Sequence, residues 1–157
     1  MLRYKKKDDI YSNSTGTLTY DPNVKTAYSY DWYEIARKIE DIWVVNDYNY
    51  SNTTAKHKNE IKGFLMREFK AYNILCIEAP KGLQDLERAK QYYEDRITSI
   101  ENRIAAKGSH TSTNNKRRRT IQSLQKVIET VDLLIIKDSY HQYAQEFDEC
   151  MNDLLRK

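Results

Sequence analysis

The sequence predicts an α+β protein: a small N-terminal β-rich unit with one packed helix, followed by a long antiparallel helical hairpin. Three observations carry this. Residues 1–80 hold nine of the 13 tyrosines, and their apolar residues fall in short runs. Residues 83–157 contain no proline, and their single glycine is Gly108. In that second part the apolar residues recur at alternating three- and four-residue spacing, the period of a helix seam and not of a strand. A chain of 157 residues has room for one domain with an elaboration.

Residues 1–15 mix Lys5-Lys6-Lys7-Asp8-Asp9 with Ser and Asn, and a mobile arm is expected there. The small domain is expected over 16–80. Its first strand is the alternating Gly16–Tyr20, followed by a turn at Asp21-Pro22-Asn23 and a second strand at Val24–Tyr28. Tyr33–Ile39 and Ile42–Val45 flank Glu40-Asp41, the spacing of a two-residue hairpin. Asn46-Asp47 reads as a turn. Ser51 is a good N-cap for a helix running to Tyr72, with Ile61, Leu65, Glu68 and Tyr72 on its inward face and Asn73 at its end. Ile74–Ile77 reads as a short apolar strand stopped by Pro80.

The hairpin is expected over 81–157. Leu83, Leu86, Lys90, Tyr93, Ile97, Ile100 and Ile104 form an a/d seam of about three heptads, with the stem of Lys90 lying along it. Gly108 suits the end of that helix, and a polar tip is expected at 108–116. Ile121, Leu124, Ile128, Val131 and Ile135 line the second helix; Phe147, Met151 and Leu154 extend the same pattern. Antiparallel pairing leaves 141–157 overhanging the first helix. Its apolar face (Tyr143, Phe147, Met151, Leu154) is expected to pack back on the small domain; the competing expectation is a homodimer or partner interface.

Composition narrows the function classes. Leu, Ile, Val and Phe total 33 residues, so the core is thin and aromatics must supply much of it. Four glycines and two prolines leave no room for extended glycine-rich cofactor loops. Cys76 and Cys150 lie far apart and both read as buried small hydrophobes; His57, His110 and His141 are scattered, so neither a metal nor a cofactor is expected. No apolar run approaches the ~20 residues of a membrane span, and no secretory signal is expected at the start, which together suggest a cytoplasmic protein.

The order Ser29-Tyr30, Ile35-Ala36, Ile42-Trp43-Val44-Val45-Asn46 and Tyr50-Ser51-Asn52-Thr53-Thr54-Ala55-Lys56-His57 resembles a small domain of unknown function that recurs in phage and mobile-element proteins. In that family a Ser-Tyr pair leads into a hairpin, and Tyr-Ser-x-Thr-Thr-x-x-His opens a helix. The resemblance covers about residues 16–65. It implies a phage or prophage origin, hence a bacterial host cell, and no established activity. From the residues themselves the motif reads as architecture. Ser51 caps the helix, Thr53 or Thr54 serves further first-turn donors, and His57, four residues before Ile61, faces inward. A catalytic reading would need Ser51, His57 and Glu60 to converge, with Ser51 free of its cap.

Charge supplies the main candidate surface. The net charge is only +3, yet Arg103, Lys107, Lys116, Arg117, Arg118, Arg119 and Lys126 cluster near the tip with no acid from 102 to 128. Asp138, Glu146, Asp148, Glu149 and Asp153 crowd the other end against Lys137, Arg156 and Lys157. Cations at a helix N-terminus oppose the macrodipole, so their presence there calls for an anion, either nucleic-acid backbone or an acidic protein surface. No aromatic residue lies between Tyr93 and Tyr140, which weakens the case for base stacking and leaves backbone or protein contacts. Tyr30 and Trp32, in the aromatic run 28–33, form a second candidate partner surface beside a core role. The expected function is therefore that of a non-enzymatic phage accessory protein that binds and inhibits a host protein. A defence nuclease, such as a CRISPR effector, is the concrete form. A nucleic-acid-binding accessory protein is the alternative, and a small hydrolase around His57 the third.

Overall fold

The computed structural model describes residues 1–156, apart from the side chain of His141; Lys157, counted above among the charges of the far end, lies outside them. Seven strands form one sheet in chain order: β1 (Arg3–Lys5), β2 (Ile10–Ser12), β3 (Leu18–Asp21), β4 (Thr26–Ser29), β5 (Tyr33–Ile39), β6 (Ile42–Asn46) and β7 (Ile74–Ile77). The first six make an antiparallel meander, and β7 joins parallel to β6. Helix α1 (Asn52–Phe69) makes the crossover between them, as a parallel pair requires. Helices α2 (Leu86–Ala105) and α3 (Thr111–Arg156) follow and pack on each other. The α+β class is thus observed.

The alternation of β6 shows how the sheet is used. Trp43 and Val45 enter the core under α1 with Leu18, Tyr20, Ile35, Ile61, Phe64 and Leu65. Val44 points the other way, into a second core with Ile77, Leu83, Leu86, Ala89, Tyr93, Val131 and Leu134. Successive side chains of a strand face opposite sides, so one strand serves both layers. Aromatic rings fill the first core: Phe64 stacks at tilted angles on Tyr11 and Tyr20 at 5.0 and 5.3 Å, and Phe69 lies 5.3 Å from Trp43.

A buried amide ties the sheet to the chain leaving it. Asn46 Nδ2 donates to Ala79 O (2.8 Å) and to the Tyr33 hydroxyl (3.0 Å), while its Oδ1 accepts from the N–H groups of Ala79 (2.9 Å) and Tyr48 (3.0 Å). The Tyr33 hydroxyl donates in turn to Ala79 O at 3.1 Å. The Asn46 amide so uses two donor and two acceptor positions, and it is the acceptor for the buried Ala79 N–H. Asn46 is therefore the pivot by which the chain turns from β7 toward α2, and not merely a turn residue.

Several expectations are corrected. Residues 1–15 do not form a separate arm: β1 and β2 extend the meander, and Leu2 is buried in the first core. Strands of three residues around a Lys6–Asp9 turn carry too little alternation to be read from sequence. Helix α1 ends at Phe69, because Lys70 takes the left-handed conformation (φ 51°) and its N–H closes on Leu65 O and Met66 O; Tyr72 therefore lies beyond the helix, and Glu68, within its last turn, is exposed. Asp85, not Leu83, begins α2 as its N-cap, accepting from Arg88 N at 2.9 Å. Ala89 fills the seam position given to Lys90, which instead reaches across to Asp132 on α3 (2.9 Å). Cys76 and Cys150 are both exposed: one lies on the edge strand β7, the other on the outer side of α3.

The hairpin is antiparallel, with Leu86, Ala89, Tyr93, Leu124, Val131 and Leu134 buried and Ile97, Ile100, Val127, Ile128 and Ile135 partly so. Burial thins toward the tip because two helices alone leave each seam residue one open side. The base of the hairpin is fastened to the sheet by Arg37–Asp138 (3.0 Å) and Lys137–Glu40 (2.8 Å). Beyond that base, α3 does not fold back on the small domain. Tyr143, Phe147, Met151 and Leu154 are all exposed. The cause is geometric: at 100° per residue these side chains lie on the side of α3 opposite to Leu134 and Asp138, the side that meets the sheet.

Candidate functional site

The two halves of the sequence motif converge on His57. Ser51 caps α1, its Oγ accepting from Thr54 N at 3.1 Å. That start sets the helix phase so that Thr54, His57, Ile61 and Leu65 share the buried face. His57 Nδ1 lies 2.7 Å from Ser29 Oγ at the end of β4, and Nε2 lies 3.3 Å from Thr17 Oγ1. The Tyr30 ring packs 5.6 Å from the imidazole. His57 is only 5% exposed, and burial lowers its pKa below the ordinary value, with Glu60 opposing the shift weakly. The imidazole is thus held neutral, and each ring nitrogen has a hydroxyl partner.

A Ser–His distance of 2.7 Å has the geometry of a nucleophile–base pair. Ser29 is nonetheless fully buried, so a substrate cannot approach its hydroxyl in this conformation. Ser51 is occupied as a cap and Glu60 is not in the hydrogen-bonding shell of His57, so the residues first considered for a triad do not converge. The pair clamps a loop instead. Between Ser29 and Tyr33, which pair directly, Tyr30 and Asp31 both have positive φ (55° and 67°). Non-glycine residues there are strained unless the surroundings hold them. Tyr30 N–H donating to Thr17 O (2.8 Å), His57 below Tyr30, and Gln84 Nε2 donating to Trp32 O (3.0 Å) do so. The loop presents Tyr30 and Trp32, both about half exposed, next to exposed Tyr50, whose ring lies 6.1 Å from Trp32.

The basic tip is a separate surface. Trp32 sits at the base of the hairpin beside Gln84, and the tip lies about 30 Å away along the 20 residues of α2. Helix α3 begins at Thr111, with Asn114 N–H donating to His110 O (2.9 Å), so the expected polar tip of 108–116 contracts to a short loop with Gly108 in the left-handed region (φ 85°). Ser109 Oγ donates to Ile104 O, and Asn114 Nδ2 donates to Ser109 Oγ, each near 3 Å, tying the loop together. Lys116–Arg119 consequently occupy the second turn and not the N-terminus, where the opposing dipole has largely faded. Arg117 is half-buried and holds the turn, donating to Asn114 Oδ1 (3.1 Å) and reaching toward Arg103 O (3.4 Å). Arg103, Lys107, Lys116, Arg118 and Arg119 are exposed. At 100° per residue the last three spread around the helix as a collar, not a stripe. Among the described residues none of the six cations pairs with a carboxylate. Arg103, Lys107, His110 and Arg117 border a shallow recess of about 320 Å³ at the end of the rod.

Sequence reasoning missed one surface. Leu133 and Ile136, within the hairpin, are exposed on the outer side of α3, in line with Tyr140 and Tyr143. The signal was present as a second three-four repeat, half a turn away from the first. No helix among the described residues is long and apolar enough to cross a membrane. Residues 1–72 match the model of a family of unknown function, DUF8033. That span takes in β1 to β6 and α1 and leaves the hairpin outside. No curated protein and no solved structure matches the chain.

Proposed function

We propose that the chain is a non-enzymatic binding protein that inserts its basic hairpin tip into an acidic site on a protein partner. The observation that carries this is the collar at Lys116, Arg118 and Arg119 with Arg103 and Lys107. These are exposed cations, without a carboxylate partner among the described residues, at the end of a two-helix rod remote from the sheet. Such a concentration of like charge speeds encounter with an anionic surface and penalises wrong partners. A collar on a narrow projection suits a concave acidic site. A duplex backbone would be better served by a stripe along one face. The sealed Ser29–His57 pair supports a binding role over hydrolysis.

The resemblance of residues 16–65 to a domain recurring in phage and mobile-element proteins is what points to a host protein, with inhibition of a defence nuclease in the bacterial cytoplasm as the concrete form. Phosphate backbone is the second reading, favoured by the density of arginine at the tip, since guanidinium pairs with phosphate as well as with carboxylate. The discriminating experiment is a pull-down from host lysate, with and without nuclease treatment. It compares the chain with a Lys116→Glu, Arg118→Glu, Arg119→Glu variant that spares the structural Arg117. A captured protein that survives nuclease and is lost at least ~10-fold in the variant supports the protein reading. Capture that disappears with nuclease, with a salt slope near −0.9 per duplex phosphate, supports the second. Undiminished binding by the folded variant would reject both and move attention to Tyr30 and Trp32.

A further inference from the structure

We infer that the chain is a parallel homodimer, joined by a two-stranded coiled coil along the outer side of α3 from Leu133 to Leu154. Leu133, Ile136, Tyr140, Tyr143, Phe147, Cys150 and Leu154 follow one another at steps of three, four, three, four, three and four. This is a complete a/d register in which Leu133, Tyr140, Phe147 and Leu154 take a, and Ile136, Tyr143 and Cys150 take d. All seven are exposed, with fractions from 56% to 69% for the six apolar side chains other than Cys150. A seam on the surface of a monomer is unusual, because contiguous exposed apolar area of this kind marks an interface.

The stripe lies half a turn from the side of α3 that meets α2 and the sheet. A second copy can therefore dock without displacing Val131, Leu134 or the Arg37–Asp138 pair. Twenty-two residues give a contact about 33 Å long. Three aromatic rings and three large aliphatics, each more than half exposed, would bury on the order of 600–800 Å² per protomer, close to the ~800 Å² of a stable interface. Three heptads would be marginal for free peptides. Here α3 is already held in helical form at its base by α2 and the sheet, which removes much of the ordering cost.

Charge selects the occupant and its direction. The g positions are Asp132, Ser139, Glu146 and Asp153; the e positions are Lys137, Ala144 and Met151. In a parallel pair g faces e of the other chain, setting Asp132 near Lys137, Ser139 near Ala144 and Glu146 near Met151, so no like charges meet even while Asp132 keeps Lys90 and Lys137 keeps Glu40 within the chain. In an antiparallel pair g faces g. Every register that keeps the seams together then sets two of Asp132, Glu146 and Asp153 against each other. The same acidic flank would repel an acidic partner helix, whereas a second copy in parallel register meets no repulsion.

The test uses the full chain. Light scattering on a gel-filtration column should give twice the 18.7 kDa chain mass at micromolar concentration. The Tyr143→Glu, Phe147→Glu variant should run at half the wild-type mass with its helical circular dichroism retained, since both side chains are exposed in the protomer. Orientation is read on an unaltered seam. In a Cys76→Ser chain a short bis-maleimide should link Cys150 to Cys150 of the second copy, because a parallel register places these d residues face to face. A wild-type mass of one chain, or of three, overturns the proposal. So does a dimer that survives the double substitution, or one in which Cys150 does not cross-link.

Discussion

The sheet unit and the hairpin are built on opposite terms. Under α1 the interior is closed: Tyr20, Tyr33, Phe64, Ile35 and Leu65 are essentially without exposure, and the buried imidazole of His57 has a partner for each ring nitrogen. In the hairpin, Ile97, Ile100 and Ile128 are only partly covered, and α3 carries apolar residues on two opposite sides. The difference teaches where stability resides and where contact with other molecules is made. The first region encloses most of its large apolar side chains and leaves a local aromatic patch at Tyr30, Trp32 and Tyr50; the second keeps a long apolar stripe and the cations available.

Substitutions should divide along that line. Phe64→Ala is expected to cost roughly 3–5 kcal/mol, since it empties a site shared by Tyr11, Tyr20 and Phe69. Chemical denaturation with an unchanged slope is the measurement, and a loss below about 1 kcal/mol would show that the aromatic core is not the main source of stability. Asn46→Ala should cost about 1–3 kcal/mol by stranding the buried Ala79 N–H, while Ala79 O keeps the Tyr33 hydroxyl and the Gly82 N–H. If it proves neutral, water must replace the amide, and the pivot is weaker than its geometry suggests.

His57→Gln is expected to cost roughly 1–2 kcal/mol above pH 7, where it weakens the clamp on Ser29 and Thr17. The pH dependence is the sharper readout. Because burial lowers the pKa of His57, the unfolded chain takes up a proton first as pH falls past 6.5, so wild-type stability declines below that point and is full above it. The variant should lack this part of the decline; identical slopes for the two proteins would contradict the buried neutral imidazole. Glu34 has the opposite sign. Its pKa is raised by burial against the pull of Arg37, so its contribution is full below the ordinary carboxylate value and is lost as pH rises through the raised one. The smallest effect belongs to the hairpin: Ile97→Ala should cost only about 1 kcal/mol, because the site is already half open. A cost as large as that of Phe64→Ala would mean that the hairpin interior is closed in solution, by a second chain or another partner.

Much of this division could be read from residue order. Tyr33–Ile39 and Ile42–Val45 were legible, the second one residue short of the strand's end at Asn46, because alternation and a two-residue turn mark the hairpin, and Ser51 because a cap is a local hydrogen bond. The inward face of His57 followed from its spacing to Ile61. What failed was non-local. Nothing near Leu2 or Ile10 shows that short strands will find a sheet edge, and nothing near Asn46 shows that Ala79 will arrive beside it. Lys90 and Ala89 are adjacent, and only the position of Asp132 on the facing helix decides which turns inward. The two stripes of α3 were merged because each repeats every three or four residues; a half-turn offset is visible only once Leu134 and Asp138 are known to face the sheet. At the tip, Lys116 and Arg118 were legible as charge, whereas the holding role of Arg117 depends on Asn114 and Arg103 coming within reach.

The strict chain order of the sheet has a kinetic consequence. Each strand from β2 to β6 pairs with the one before it, so every closure spans a short loop and carries little entropic delay. During synthesis the meander can therefore form from its N-terminal edge as it leaves the ribosome, before α3 has been made. The long closures come last: β7 beside β6 after the whole of α1, then Asp138 onto Arg37 across 101 positions. Among the described residues no later strand covers Cys76 and the edge of β7, so the growing sheet ends in a parallel edge only four residues long. A short, late edge offers other nascent chains little time and little length on which to add a strand.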